Sequence, residues 1–322
     1  MATTMNAAIQ TFQLTKTYAP GKPPALTSLD LTVPCGEIFG YLGPNGAGKT
    51  TTIKVLLDLI RPSTGRAEVL GMDSREHSVE IRKRIGFLPG ELNLWAGLTA
   101  QQVIHYMGNL RGGVDWGYVK TLSEKLDFDL SKKVRSYSTG NKRKLGLILA
   151  LMHKPELLIL DEPTSGLDPL MQQIFITLMD EARREGRTVF LSSHVLSEVQ
   201  AICDRVAILR KGKLEAVERV HDLMTVNFNW ITVRTREPIA LEGLAHVPGV
   251  AELTQDGTTV RFRHTGDFDP VYRALASAYI VELRTEEPNL EEVFLKFYGS
   301  QFAPMRNGKN GGSSHNHKEA AK

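Results

Sequence analysis

Apolar and polar residues alternate along "AIQTFQL" (8–14) and "LTSLDLTV" (26–33), the pattern of half-buried strands in an antiparallel layer. The turn-rich "YAPGKPPA" separates them. "EIFGYLG" predicts a strand running into a glycine-rich turn, and "KTTTIKVLLDLI" the helix after it, through Ile60. From Thr99 to about Val134 the pattern turns helical, most clearly in "TAQQVIHYMGNL". "LLILD" (157–161) is wholly apolar up to its last residue, which suits a strand covered on both faces of a parallel sheet. "PLMQQIFITLMDEARREG" carries proline at its start and glycine past its end, the punctuation of a helix. "TVFLSS" is a second buried strand, and "DRVAILRKGKLEAVE" a hairpin turning at Lys211-Gly212. Strands alternating with helices in this way predict an α/β core with a parallel sheet. Beyond about Met224, "WITVRT", "VAELTQDG", "TVRFRH" and "IVELRT" predict four short strands, with helices at "ALEGLAHV" and "DPVYRALASA". The order β-α-β-β-α-β is the ferredoxin-like arrangement. "NLEEVFLKFYG" then sets Leu290, Val293, Phe294, Phe297 and Tyr298 on one helical face.

Composition narrows the class without choosing a function. The 322 residues, 42% hydrophobic and 23% charged, are those of a soluble globular protein of one large and one small domain. The expected boundaries are 1–224, with a helical subdomain over about 95–140, then 225–300 for the small domain. A solvated tail is expected over 301–322, rather than the stray metal that His315 and His317 could bind. A net charge of +3 is too weak to argue for nucleic acid. "MATTMNAAIQ" lacks the charged and apolar regions of a secretory signal, and no apolar run approaches the roughly 20 residues of a membrane span. Cys35 and Cys203 lack metal-type spacing and are expected as free buried thiols.

Chemistry enters at "GPNGAGKTT" (43–51), which fits the phosphate-binding pattern G-x-x-x-x-G-K-[ST] between a strand and a helix. Across Gly43, Pro44, Asn45, Gly46, Ala47 and Gly48 the backbone curls, so successive N–H groups point at the same phosphates. The helix adds its positive dipole end, Lys49 a full charge, and Thr50 and Thr51 hydroxyls, Thr50 for Mg²⁺. "LLILDEP" supplies a second metal contact in Asp161 and a general base in Glu162. His194 in "LSSH" ends the next buried strand within reach of a γ-phosphate. No guanine-reading [NT]-K-x-D stretch occurs, and Tyr18 can stack on adenine, so the expected nucleotide is ATP.

"TYAPG", "GPNGAGKTT", "YSTGN", "LLILDEP", "SGLD" and "SSH" stand in the order found in nucleotide-binding subunits of ATP-binding-cassette transporters, which the chain resembles over about residues 6–222. It is most similar to export subunits of the daunorubicin- and bacitracin-resistance kind, which share "LPGE" or "LPEE" after "IGF" and a C-terminal domain closing near "LEEVF". The resemblance implies a P-loop ATPase fold with a mixed sheet, an antiparallel layer, a helical subdomain and a small α+β domain. It implies that Ser138, Thr139, Gly140 and Asn141, with Asp168 of "SGLD", meet ATP held in the cradle of a second copy. A helix start at Ser138 fits, because it is a second anion site in a chain whose cradle already has one. Homodimer or heterodimer pairing through the nucleotide sites, a separate multi-span membrane permease and a peripheral place on the cytoplasmic face are implied likewise.

Two positions depart from the family. The family's signature segment, usually "SGGQ", is "STGN" here, and Gly90 stands where a metal-contacting glutamine is usual, leaving Glu91 as the nearest candidate metal ligand. The rival expectation is a soluble ATPase of the same fold acting on ribosomes or nucleic acid. The loop "GELNLWAGL" gathers Leu92, Leu94 and Trp95. Either it docks the membrane subunit, or a neighbouring helix of the same chain covers it.

Overall fold

The two alternating N-terminal segments pair with each other: β1 (Ala7–Lys16) lies antiparallel to β2 (Leu26–Pro34). β3 (Ile38–Leu42) leads into α1 (Lys49–Leu56), and β4 (Thr64–Val69) and β5 (Met72–Asp73) complete the antiparallel layer in the order β2-β1-β4-β5. Then come α2 (Ser78–Arg84), β6 (Ile85–Leu88), α3 (Ala100–Asn109), α4 (Trp116–Lys125) and α5 (Thr139–Leu151). They are followed by β7 (Leu157–Asp161), α6 (Pro169–Arg184), β8 (Thr188–Ser193), α7 (Leu196–Ile202), β9 (Arg205–Arg210), β10 (Lys213–Arg219) and α8 (Val220–Met224). This computed structural model describes residues 7–224 and 228–286. By its contacts the chain divides into Met1–Val226 and Asn227–Lys322.

The second sheet of the larger unit has the order β10-β9-β3-β8-β7-β6, parallel from β9 to β6 with β10 antiparallel at one edge. Every residue of β3, β7 and β8 is buried, as their apolar runs require. Ile9, Leu31, Phe39, Tyr41, Ile53, Leu56, Ile159 and Phe190 join the antiparallel layer, α1 and the parallel sheet in one core. Each such side chain contributes about 1.5–3 kcal/mol on burial. The topology therefore places the ends of β3, β6, β7 and β8 along one edge, where open α/β sheets bind ligands.

Three expectations are corrected. α1 stops at Leu56 rather than Ile60. Asp58 turns left-handed (φ 52°) and the Arg82 guanidinium takes the Leu57 carbonyl (2.8 and 3.2 Å), closing the helix from outside. The helical stretch from Thr99 is interrupted at Gly112 and Gly113 (φ 96° and 136°), and after α4 only a single 3-10 turn (Val134–Ser136) precedes α5. Cys203 is buried, which raises its thiol pKa, but Cys35 is exposed in the turn between β2 and β3.

In the smaller unit, β11 (Asn229–Thr235), α9 (Glu242–Ala245), β12 (Val250–Asp256), β13 (Thr259–His264), α10 (Asp269–Leu275) and β14 (Ile280–Glu286) follow the predicted order. The sheet β12-β13-β11-β14 is antiparallel throughout, the ferredoxin-like topology. Ile231, Val233, Val260, Phe262, Val271 and Leu275 form its core. The helix expected at "NLEEVFLKFYG", the 301–322 tail, His315 and His317 lie outside the described residues.

Candidate functional site

The cradle occupies residues 43–51 between β3 and α1. Gly48 is left-handed (φ 113°), and a Cβ there would come within 2.6 Å of the Ala25 carbonyl, so a side chain is excluded on two counts. A Cβ at Gly43 would meet the Leu209 carbonyl at 2.4 Å. The turn is braced by Gly43 N–H donating to Ser193 O (3.3 Å) and Gly212 N–H to Ala47 O (2.9 Å). A cleft of about 430 Å³ opens here, lined by residues 44–51 with Ala25, Glu162, Ser165 and His194. Tyr18, 59% exposed, stands at its rim with its hydroxyl 3.2 Å from Thr51 Oγ1.

Strands far apart in sequence bring the charged groups together. Lys49 is buried, donates to Gly43 O (2.6 Å) and pairs with Glu162 Oε1 at 3.2 Å. His194 Nδ1 lies 2.7 Å from Glu162 Oε2. Thr50 Oγ1 donates to Asp161 Oδ2 (2.9 Å), while Ser192 Oγ donates to Asp161 Oδ1 (2.5 Å). A hydroxyl and a carboxylate, both hard oxygen donors, fit Mg²⁺ bound mainly through substrate phosphates. Among the described residues no group of three or more His, Cys, Asp or Glu is placed to hold a metal ion by itself. A Cβ on Gly90 would sit 3.2 Å from Asp161 Oδ2, so the loop after β6 reaches the Asp161 carboxylate. Glu91 is exposed and makes no hydrogen bond or ion pair among the described residues.

The remaining expected residues gather elsewhere. Ser138 caps α5, its Oγ accepting from Asn141 N–H (3.3 Å), which leaves the hydroxyl proton free to donate outward. Thr139 is exposed, with its methyl against Gly166. Asp168 caps α6 through Met171 N–H (3.0 Å). Ser138, Gly140, Asn141, Gly166 and Asp168 line a polar hollow of about 360 Å³, and no residue lines both this hollow and the cradle cleft.

Three residues escaped the sequence reading. Lys144 also lines the signature hollow, held by Asp127 O (3.2 Å). Ser192 orients Asp161 and accepts from Glu162 N–H (3.0 Å). Arg143 is buried beneath the site, where desolvation lowers its pKa against the opposing pull of Asp161 and Glu162. The signal for Arg143 was a cation sharing the buried helical face with Leu147 and Leu151, where a charge rarely goes unpaired.

The sequence profile of the ABC transporter family matches residues 26–165. The bacitracin transport ATP-binding protein BcrA of Enterococcus faecalis is 33% identical over 92% of this chain and 97% of its own length. The linearmycin resistance ATP-binding protein LnrL of Bacillus subtilis is 31% identical, covering 90% of this chain and 98% of that protein. Among solved structures, an ATP-binding subunit of an ABC transporter superposes with a TM-score of 0.63 at 27% identity, covering 67% of this chain and 91% of that one.

Proposed function

This chain belongs to the ATP-binding subunits of ABC transporters, and on that premise we propose that it powers export of a membrane-seeking antibiotic or lipid-like molecule. It binds and hydrolyses ATP as the subunit of an exporter related to the bacitracin- and linearmycin-type pumps. The alternative, action on ribosomes or nucleic acid, is not favoured, because relatives matching nearly the whole chain are transporter subunits. No helix of the described residues is long and apolar enough to cross a membrane. As in the transporters whose ATP-binding subunits this chain resembles, the path for the substrate belongs to a separate permease, and this chain sits against it on the cytoplasmic face.

The observation that carries the mechanism is the separation of the two hollows. The cradle's N–H groups, the α1 dipole and Lys49 hold the phosphates, and Tyr18 stacks on the base. Thr50 and Asp161 would hold Mg²⁺, which would supply positive charge against the phosphates. Phosphates compete with Glu162 for Lys49, which frees Oε1 to take a proton from the attacking water. His194 holds the other carboxylate oxygen and donates toward the γ-phosphate. The signature hollow faces outward with its helix N-terminus, Ser138 hydroxyl and Asn141 amide, and it receives the nucleotide of a second copy. Two ATP molecules are thus enclosed between two head-to-tail subunits, and their hydrolysis reopens the pair.

The test is genetic. Removing the gene should sensitise its host to antibiotics of the bacitracin and linearmycin kinds, and the parental gene should restore resistance where Lys49→Ala does not. Unchanged sensitivity across such a panel, or full restoration by Lys49→Ala, would sink the reading.

A further inference from the structure

Arg143 lies in the second turn of α5 with only 4% of its surface exposed. Every hydrogen bond it makes runs to a main-chain carbonyl. Nη1 donates to Pro89 O (2.8 Å) and Gly90 O (3.0 Å), in the loop that follows β6. Nε donates to Pro163 O (3.2 Å), and Nη2 to Asp161 O (3.0 Å) and to Glu162 O, three consecutive residues leaving β7. A guanidinium carries five N–H donors in one rigid plane, and here five carbonyls receive them. An ammonium offers three donors around a single point and cannot span both segments. Burying a full charge is costly without this degree of satisfaction, and an apolar side chain would fill the same space more cheaply. The charge is therefore to be explained by what it holds.

Glu162 is what it holds. Its φ of 49° is left-handed, an uncommon conformation for a residue with a side chain. The Ser192 hydroxyl ties its N–H, and Arg143 ties its carbonyl. With both main-chain ends fixed, the carboxylate projects to Lys49 and His194.

We propose that Arg143 is the positioning residue for Glu162: by joining the carbonyls of residues 89–90 to those of 161–163, it holds the general base in its left-handed conformation. The proposal rests on the reading of Glu162 as that base. Arg143 touches no nucleotide. The same plane of hydrogen bonds ties the base to the loop carrying Gly90 and Trp95, so displacement of that loop reaches Glu162 through one side chain.

Arg143→Gln and Arg143→Lys are made in the full chain, each alone and combined with Glu162→Gln. Affinity for a fluorescent ATP analogue should stay near parental, since no cradle hydrogen bond involves Arg143. Single-turnover hydrolysis should fall on the order of a hundredfold, the cost of a misplaced catalytic group. In the Glu162→Gln background either substitution should cost nothing further, because the group it positions is gone. Arg143→Lys keeps charge and most of the volume, so it serves if Arg143→Gln fails to melt cooperatively. Parental hydrolysis in a folded variant, a parallel loss of nucleotide affinity, or an additive cost in the double variant each overturns the proposal. Parental hydrolysis by Glu162→Gln alone would instead overturn the general-base reading, and the positioning role with it.

Discussion

Glu162 accepts from Lys49 and His194 at once, one on each carboxylate oxygen, so a single atom exchange probes the site. Glu162→Gln keeps the bulk but cannot accept the water's proton. Turnover should fall by about a thousandfold, within the range for loss of a general base. ATP affinity should persist, and size-exclusion chromatography with Mg²⁺ and ATP should show a stable dimer; steady phosphate release at the parental rate would remove Glu162 from the mechanism. A second residue reports on stability. His153 Nε2 lies 3.0 Å from Arg111 Nη1 and 2.9 Å from Ile85 O, and burial, then the Arg111 charge, lowers its pKa from 6.5 to about 4. Between those values the unfolded chain binds the proton and the folded chain does not. Stability from this group is thus whole above pH 6.5 and is lost as pH falls toward 4, by on the order of 3 kcal/mol. His153→Gln should therefore lose less melting temperature than the parent between pH 7 and pH 4.5; equal losses would exclude His153 as the cause.

At the scale of elements, α5 joins a signature turn facing outward to an interior helix. Ser138→Arg with Gly140→Asp should leave nucleotide affinity of the monomer intact and end hydrolysis. Mixed with Lys49→Ala, this variant forms one composite site with both faces whole, and activity should appear that neither shows alone. Loss of ATP binding by the signature variant as a monomer would mean that the segment serves its own cradle. The loop after β6 makes a different offer. Leu92 packs on Gly146 of α5, while Trp95 stays 47% exposed, edge to face with Tyr106 at 5.2 Å. Of the two alternatives left by its sequence, docking is now the better supported, because the ring is covered only in part. Trp95→Ala should weaken association with the permease by about 2 kcal/mol or more, as an aromatic anchor does. Its melting temperature as an isolated subunit should hardly change. A large loss of melting temperature with unchanged association would place Trp95 in the core.

For the molecule as a whole, the division near Val226 leaves the cradle, Asp161, Glu162, His194 and the signature in one unit with its own core. Residues 1–226 alone should fold cooperatively and bind ATP within a few-fold of the full chain, by the ordinary independence of domains. A truncated chain that melts without a transition would show that the smaller unit completes the larger one's fold. What the sequence determined by itself was carried by neighbouring residues. The curl of 43–51 needs glycines at fixed spacing, a strand covered on both faces needs an unbroken apolar run, and the 205–219 hairpin needs left-handed residues, found at Lys211 and Gly212 (φ 45° and 77°). The order of strands and helices in the C-terminal unit followed from the same local periodicity. Tertiary structure alone decided the rest. α1 ends early because Arg82 reaches it from 25 residues away, and Arg143 meets Pro89 across 54. Ser192 finds Asp161 because β7 and β8 pair in parallel register, and each hollow gathers residues from several separate stretches of the chain. A hydrogen bond between distant segments leaves no periodicity in either one, so neither stretch of sequence announces the partner that folding brings to it.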